Sequence, residues 1–127
     1  MISVLPVKEK SEIEKLFSNH SLSVTEFSGA VSAVCEGETL GYCLFELDNK
    51  KMTILEIEPK NDLSLADGIL RSALHNAVCA KVIRAEYLES SPVELFRKLD
   101  FILDKDERTL DISKLFKSCH SCANKNT

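Results

Sequence analysis

The stretch ILEIEPKNDLSLADGILRSAL, Ile54 to Leu74, decides the fold. Its start alternates apolar and acidic side chains, the period of a half-buried strand, and Pro59 ends the ladder because proline has no N–H to donate. Asp62 or Ser64 can then cap a helix. Ala66, Ile69, Leu70, Ala73, Leu74, Ala77 and Val78 keep the 3.6-residue period over residues 64–80. Val82–Leu88 reads as a further strand. Strand Met52–Glu58, helix and strand Val82–Leu88 make a β-α-β unit, which implies parallel strands joined by a right-handed crossover.

Working outward, residues 2–7 read as an edge strand with Pro6 near its end. Residues 11–19 read as a helix, with Ser11 and Glu14 as a capping box and Ile13, Leu16 and Phe17 on one face. Ala30–Cys35 and Leu40–Leu47 read as a hairpin about the turn Glu36-Gly37-Glu38. Downstream, Ser91-Pro92-Val93-Glu94 opens a helix, with Ser91 as cap and Pro92 at the first helical position. Leu95, Phe96 and Leu99 face inward. Phe101–Leu103 and Arg108–Ile112 read as a last hairpin. The chain is thus expected to be one α/β (α+β) domain over residues 1–112, with about six to seven strands and three helices. Residues 113–127 follow as a polar tail carrying a CxxC.

Composition narrows the class. The 127 residues are 44% hydrophobic and 28% charged, which is ordinary for a globular domain. A net charge of −4 without any basic run argues against nucleic acid as partner. No apolar run reaches the ~20 residues that cross a bilayer, and MISVLPVKEKSEIEK lacks the basic and apolar regions of a secretory signal. A cytoplasmic location with reduced thiols is the resulting expectation. There is no G-x-S-x-G, P-loop or H-E-x-x-H, so hydrolase, NTPase and zinc-protease readings find no support.

The element order, the stretch Ile54 to Leu74 and SPVELFRKLDFI, Ser91 to Ile102, together resemble the GNAT superfamily (GCN5-related N-acetyltransferases) over residues 2–112. Ile54 to Leu74 is similar to that family's central strand, pyrophosphate loop and following helix. Ser91 to Ile102 is similar to its late helix. The resemblance implies acetyl-CoA as cosubstrate and a small-molecule or peptide amine as acceptor, in a monomer or homodimer. The family's phosphate-loop pattern, Q/R-x-x-G-x-G/A, falls on Leu65, Ala66, Asp67, Gly68, Ile69 and Leu70. A helix N-terminus there offers unpaired N–H groups to a pyrophosphate. Gly68 matches the first glycine; Leu65 and Leu70 depart from the pattern. Asp62 and Asp67 bring carboxylates close, and two like charges ~4 Å apart repel by ~4 kcal/mol at an effective dielectric near 20. The other reading of these acids is simple helix capping. The resemblance also implies that main-chain groups of Leu55 to Ile57 pair with the thioester arm, in the manner of strand addition.

Acyl transfer to an amine needs a base and an acid. Glu56 and Glu58, two apart on a strand, share a face, and either could be the base if that face lines the cleft. The alternative is two solvated glutamates on a polar face. In the resemblance the acid is a tyrosine on the late helix. Phe96 stands there, Glu89 replaces the usual polar residue at the preceding strand end, and Tyr87 is the remaining acid candidate, or else a packed side chain.

Cys119-His120-Ser121-Cys122 supplies two metal ligands where a structural zinc site takes four, so Cys119 and Cys122 are bare candidates for metal. A pair from a second chain could complete the set. Cys35, Cys43 and Cys79 read as small buried hydrophobes. His20 and His75 stand alone, His75 on an exposed helix face. Two readings other than enzyme stay open: a GNAT-like binding or regulatory module without catalysis, and a thiol or metal protein built on the tail. The family usually carries a second helix where only Ser21–Gly29 remains here.

Overall fold

Strand and helix alternate around the long helix as its periodicity requires. The computed structural model describes residues 2–115. The elements run β1 (Ser3–Pro6), α1 (Lys10–Ser18), β2 (Ser28–Cys35), β3 (Glu38–Leu47), β4 (Met52–Glu58), α2 (Leu63–Cys79), β5 (Ala85–Tyr87), α3 (Val93–Lys98), β6 (Ile102–Asp104) and β7 (Thr109–Leu110). A further helical turn starts at Ser113. The strands form one seven-stranded sheet in the order β1-β2-β3-β4-β5-β7-β6. All neighbours are antiparallel except β4 and β5, which the α2 crossover joins in parallel. No helix among the described residues is long and apolar enough to cross a membrane.

The sheet has a core on each face. On one, Ile69, Leu70, Ala73 and Leu74 of α2 and Phe96 of α3 pack on Val31, Cys43, Met52, Ile54, Ile57 and Phe101. On the other, Phe17 of α1 packs with Ala30, Leu44 and Leu55. Each fully buried Val, Leu, Ile, Phe or Met side chain among them contributes about 1.5–3 kcal/mol. The bulge in β4 sets which side chains go where. Leu44 pairs with Glu56 and Phe45 with Ile54, so Leu55 is an extra residue. Strict alternation would put Glu56 and Glu58 on the face of Met52 and Ile54, inside the larger core. The bulge turns both onto the α1 face and sends Ile57 into the core instead.

Several expectations need correction. Ser11 lies inside α1, whose N-cap is Glu9 with no side-chain bond, so there is no capping box. Ser91 does not cap α3, because its hydroxyl is turned into the sheet; Pro92 is the N-cap. Residues 82–84 are not strand: α2 ends in a turn with Lys81 left-handed (φ 62) and Val82 N–H bonded to the Ala77 carbonyl. Cys79 is exposed and Cys35 half-buried; only Cys43 among the described cysteines is a buried small hydrophobe. Burial pushes its thiol far above the usual range. Between α1 and β2 the chain is loop, with no second helix. Cys119 and Cys122 lie outside the described residues.

Candidate functional site

The parallel strands part soon after they meet. β4 and β5 pair only at Met52, Thr53 and Ile54, opposite Ala85, Glu86 and Tyr87. From the Leu55 bulge onward β4 runs on to Glu58 without β5 beside it. Ser91 sits in the crotch of this fork: its hydroxyl donates to the Ile54 carbonyl at 2.8 Å and accepts the Leu88 N–H at 2.9 Å. On the open limb, the Ile57 N–H donates to the side chain of Glu56 (Oε1, 3.2 Å). A main-chain donor of the span expected to hold the thioester arm is thus engaged by the neighbouring carboxylate.

Five ionisable side chains gather at the fork on the α1 face. Lys60, just past β4, places its ammonium 2.9 Å from Glu56 Oε1 and 3.2 Å from Glu58 Oε1. His20 Nε2 lies 2.7 Å from the Tyr42 hydroxyl, and its Nδ1 lies 3.7 Å from Glu56 Oε2. With the imidazole neutral, the tautomer that suits all three groups has Tyr42 donating to Nε2 and Nδ1–H toward the carboxylate. The opposite tautomer would set a bare nitrogen against a carboxylate. Local chain geometry puts each group in place. The turn closing α1, with Ser21 left-handed (φ 58) and Leu22 N–H on the Phe17 carbonyl, projects His20 over the sheet. Tyr42 stands opposite Glu58 in the β3–β4 pairing.

The electrostatics follow. Burial, then the charges of Glu58 and Glu56, push the Tyr42 phenol above its ordinary value, with Lys60 opposing, so it stays protonated through neutral and mildly alkaline pH. Burial pulls Lys60 down, but its hydrogen bonds to Glu56 and Glu58 outweigh that and hold it above its usual range. Glu56 and His20 side chains are only 17% and 18% exposed, so their interactions are less screened by water than those of surface pairs.

At the start of α2, where the sequence places the expected pyrophosphate contacts, Asp62 caps the helix, with Oδ1 accepting the Leu65 N–H at 3.1 Å. Asp67 is paired with Arg71 one turn on, at 2.7 Å, which offsets the charge that the sequence set against phosphate. Ala66, Ile69 and Leu70 turn their side chains into the core, while Leu65 is half-buried and Gly68 exposed. A Cβ at Gly68 would meet nothing within 4 Å, so packing does not require this glycine and the space over it is free for an approaching ligand. A groove of about 580 Å³ runs there between Leu65, Gly68, Pro59, Leu40 and Val4. A second, of about 410 Å³, lies at the fork between Lys60, Glu89, Ser91 and Val93. Gly41 fixes the loop from below: a Cβ there would come 2.5 Å from the Glu58 carbonyl.

The structure therefore brings Glu56, Glu58, Leu55 and Ile57 together at the fork. Tyr87 is buried, its ring 5.3 Å from that of Phe96. Glu89 is exposed and near Arg108. Sequence reasoning missed His20, Tyr42 and Lys60 as members of the cluster. Tyr42 could have been found from the hairpin register, which sets it across from Glu58; nothing local marks His20.

No protein-family model matches the chain and no curated protein sequence matches it. Solved structures do. A ribosomal-protein-alanine N-acetyltransferase from Brucella melitensis biovar Abortus 2308 aligns with TM-score 0.56 and 11% identity, over 78% of this chain and 90% of that one. A GNAT family acetyltransferase from Elizabethkingia anophelis with acetyl-CoA bound aligns with TM-score 0.54 and 14% identity, over 81% of this chain and 78% of that one. A nourseothricin acetyltransferase aligns at TM-score 0.42 and 15% identity over 49% of this chain, and the chain spans only 40% of its length. The chain has the fold of the GNAT acetyltransferases.

Proposed function

We propose that this chain is an acyl-CoA-dependent N-acyltransferase, with acetyl-CoA as cosubstrate and a small-molecule or peptide amine as acceptor. The observation that carries the reading is the β4–β5 fork with the partly exposed carboxylates of Glu56 and Glu58 gathered around Lys60 at its mouth, in a GNAT fold. The cosubstrate would supply an activated acyl thioester. Leu65 and Gly68 at the start of α2 would hold its pyrophosphate, and the open limb at Leu55 to Ile57 its arm. Glu56 is the general base for the acceptor ammonium, and Lys60 and His20 keep its carboxylate in place. Glu58 pairs with Lys60 and adds negative charge that favours a cationic acceptor. The Ile57 N–H is the donor for developing charge on the acyl oxygen, once Glu56 turns to the amine. Tyr42, held protonated and bonded to His20, is better placed than Tyr87 to return a proton.

Turnover tests this. Acetyl-CoA is incubated with a panel of alkyl amines, lysine peptides and free N-terminal peptides, and acetylated product is read by mass spectrometry. Wild type should form product, and Glu56→Gln should lower the rate by about 10²-fold or more. Equal rates in the two proteins contradict the role of Glu56. A second reading, a GNAT-fold module that does not catalyse, is favoured by Asp62, whose carboxylate engages the Leu65 N–H at the helix end a pyrophosphate would need. It predicts binding of a partner or nucleotide with no product from any amine.

A further inference from the structure

Glu56 is held from three sides. Its Oε1 accepts the Lys60 ammonium at 2.9 Å and the Ile57 N–H at 3.2 Å, while Oε2 lies 3.7 Å from His20 Nδ1. The bond to Ile57 closes a short ring, from a side chain to the main-chain N–H of the next residue. That N–H belongs to the limb of β4 beyond Ile54, where the pairing with β5 ends. It is also the donor that the oxygen of an acyl thioester would need. A main-chain N–H has one hydrogen to give. A carboxylate oxygen and a carbonyl oxygen brought to it together would compete for that hydrogen and repel each other.

The carboxylate has the advantage of its tether. An intramolecular group competes at an effective concentration on the order of millimolar, without loss of translational freedom. Lys60 strengthens this, because it binds the same Oε1 that takes the Ile57 N–H. An acceptor ammonium changes the balance. It brings a further cation and fresh donors to Glu56, and the carboxylate must turn toward it to take its proton. The Ile57 N–H is then open toward the fork.

We infer that the Glu56 carboxylate is an internal competitor for the Ile57 N–H, so that the fork takes an acyl thioester poorly until an ammonium acceptor draws Glu56 away. The inference rests on the acyl-CoA reading and adds a binding order to it, amine before thioester. A ligand that needs the minor state of a two-state equilibrium has its affinity scaled by that state's population. With the N–H free in about 10–20% of molecules, affinity for the thioester falls by about five- to tenfold. By linkage, thioester and amine raise each other's affinity by one and the same factor. Coenzyme A without its acyl group has no carbonyl oxygen and does not meet this competition.

The test uses the full chain and ligands that differ in that oxygen. Wild type, Glu56→Gln and Glu56→Ala are each titrated calorimetrically with acetyl-CoA and with free CoA. Glu56→Ala should bind acetyl-CoA about fivefold or more tightly than wild type, while its affinity for CoA stays within about twofold. Glu56→Gln should fall between, since a neutral amide oxygen accepts less strongly than a carboxylate. In wild type, at least one of the alkyl amines or lysine peptides should raise affinity for acetonyl-CoA, a non-transferring ketone, about fivefold or more. The same amine should have no such effect in Glu56→Ala. The isosteric glutamine and the wild-type amine titration decide the matter even if the alanine variant does not fold. Equal acetyl-CoA affinity in wild type and variants, with CoA bound by all, overturns the competitor and leaves the acyl-CoA site standing. So does an equal gain for CoA and acetyl-CoA, which would mean loss of a nearby negative charge and nothing more. So does an acetonyl-CoA affinity that no amine changes. Failure of all three proteins to bind either CoA or acetyl-CoA overturns the acyl-CoA reading, and this inference with it.

Discussion

Ser91→Ala should cost far more than a serine of its size suggests. The hydroxyl fills two needs at the fork: it donates to the Ile54 carbonyl and accepts from the Leu88 N–H, on a residue only 6% exposed. Alanine leaves both main-chain groups without that partner. An orphaned buried polar group costs about 1–3 kcal/mol; the Ile54 carbonyl in the sheet stands near the middle of that range and the Leu88 N–H, on an exposed residue, at or below its lower end. The sum is about 2–3 kcal/mol. With about 2.1 cal/mol/K of unfolding entropy per residue, a chain this size loses about 7–11 °C in Tm. Thermal unfolding by circular dichroism, with reductant present and a urea titration for the m-value, measures it. Ser64→Ala, at an exposed position, is the control and should shift Tm by less than about 2 °C. A Ser91→Ala shift no larger than that of the control would refute the reasoning, since the fork would then not depend on this side chain.

Gly41→Ala should destabilise by about 2 kcal/mol or more, because the added Cβ meets the Glu58 carbonyl, Pro59 and Ile69 at 2.5–2.9 Å and a main-chain atom cannot rotate away; an unchanged urea midpoint would contradict this. Glu86→Gln should flatten the acid limb of the stability curve. The Arg84 hydrogen bond first, then that of Lys51, holds the Glu86 carboxyl below its ordinary value despite some burial. A depressed folded value means its contribution is present above the unfolded pKa of about 4.3 and disappears as pH falls through the folded value. The substitution should therefore lower stability at pH 7 by roughly 0.5–1 kcal/mol and leave the two proteins alike at pH 2.

The backbone plan was legible because it rests on periodicity. Residues 54–74 alone specify strand, stop and helix, and β4 falls where the sequence places it. What escaped was non-local. The Leu55 bulge leaves only a faint mark, two apolar residues in a row at Ile54-Leu55 that shift the alternation, yet it decides which face Glu56 and Glu58 take. Ser91 carries the same Ser-Pro-x-Glu pattern as a helix cap, and only the nearness of Ile54 draws its hydroxyl elsewhere. His20 reaches Glu56 across 36 residues of sequence, through the α1 turn and the sheet, so no local pattern could announce it. The start of α2 was half legible: Asp67 reads as hostile to phosphate in the sequence, and its pairing with Arg71 emerges only in the fold.

The central claim is that the fork and the start of α2 form an acyl-CoA site, and calorimetric titration with acetyl-CoA tests it most directly when wild type and Gly68→Ala are compared. Gly68 is an exposed helical glycine with open space above it, so alanine should raise fold stability by up to about 1 kcal/mol. The account predicts one saturable site per chain in wild type and binding weakened about tenfold or more in Gly68→Ala despite its greater stability. No saturable heat at millimolar acetyl-CoA, or equal affinity in the two proteins, would contradict it.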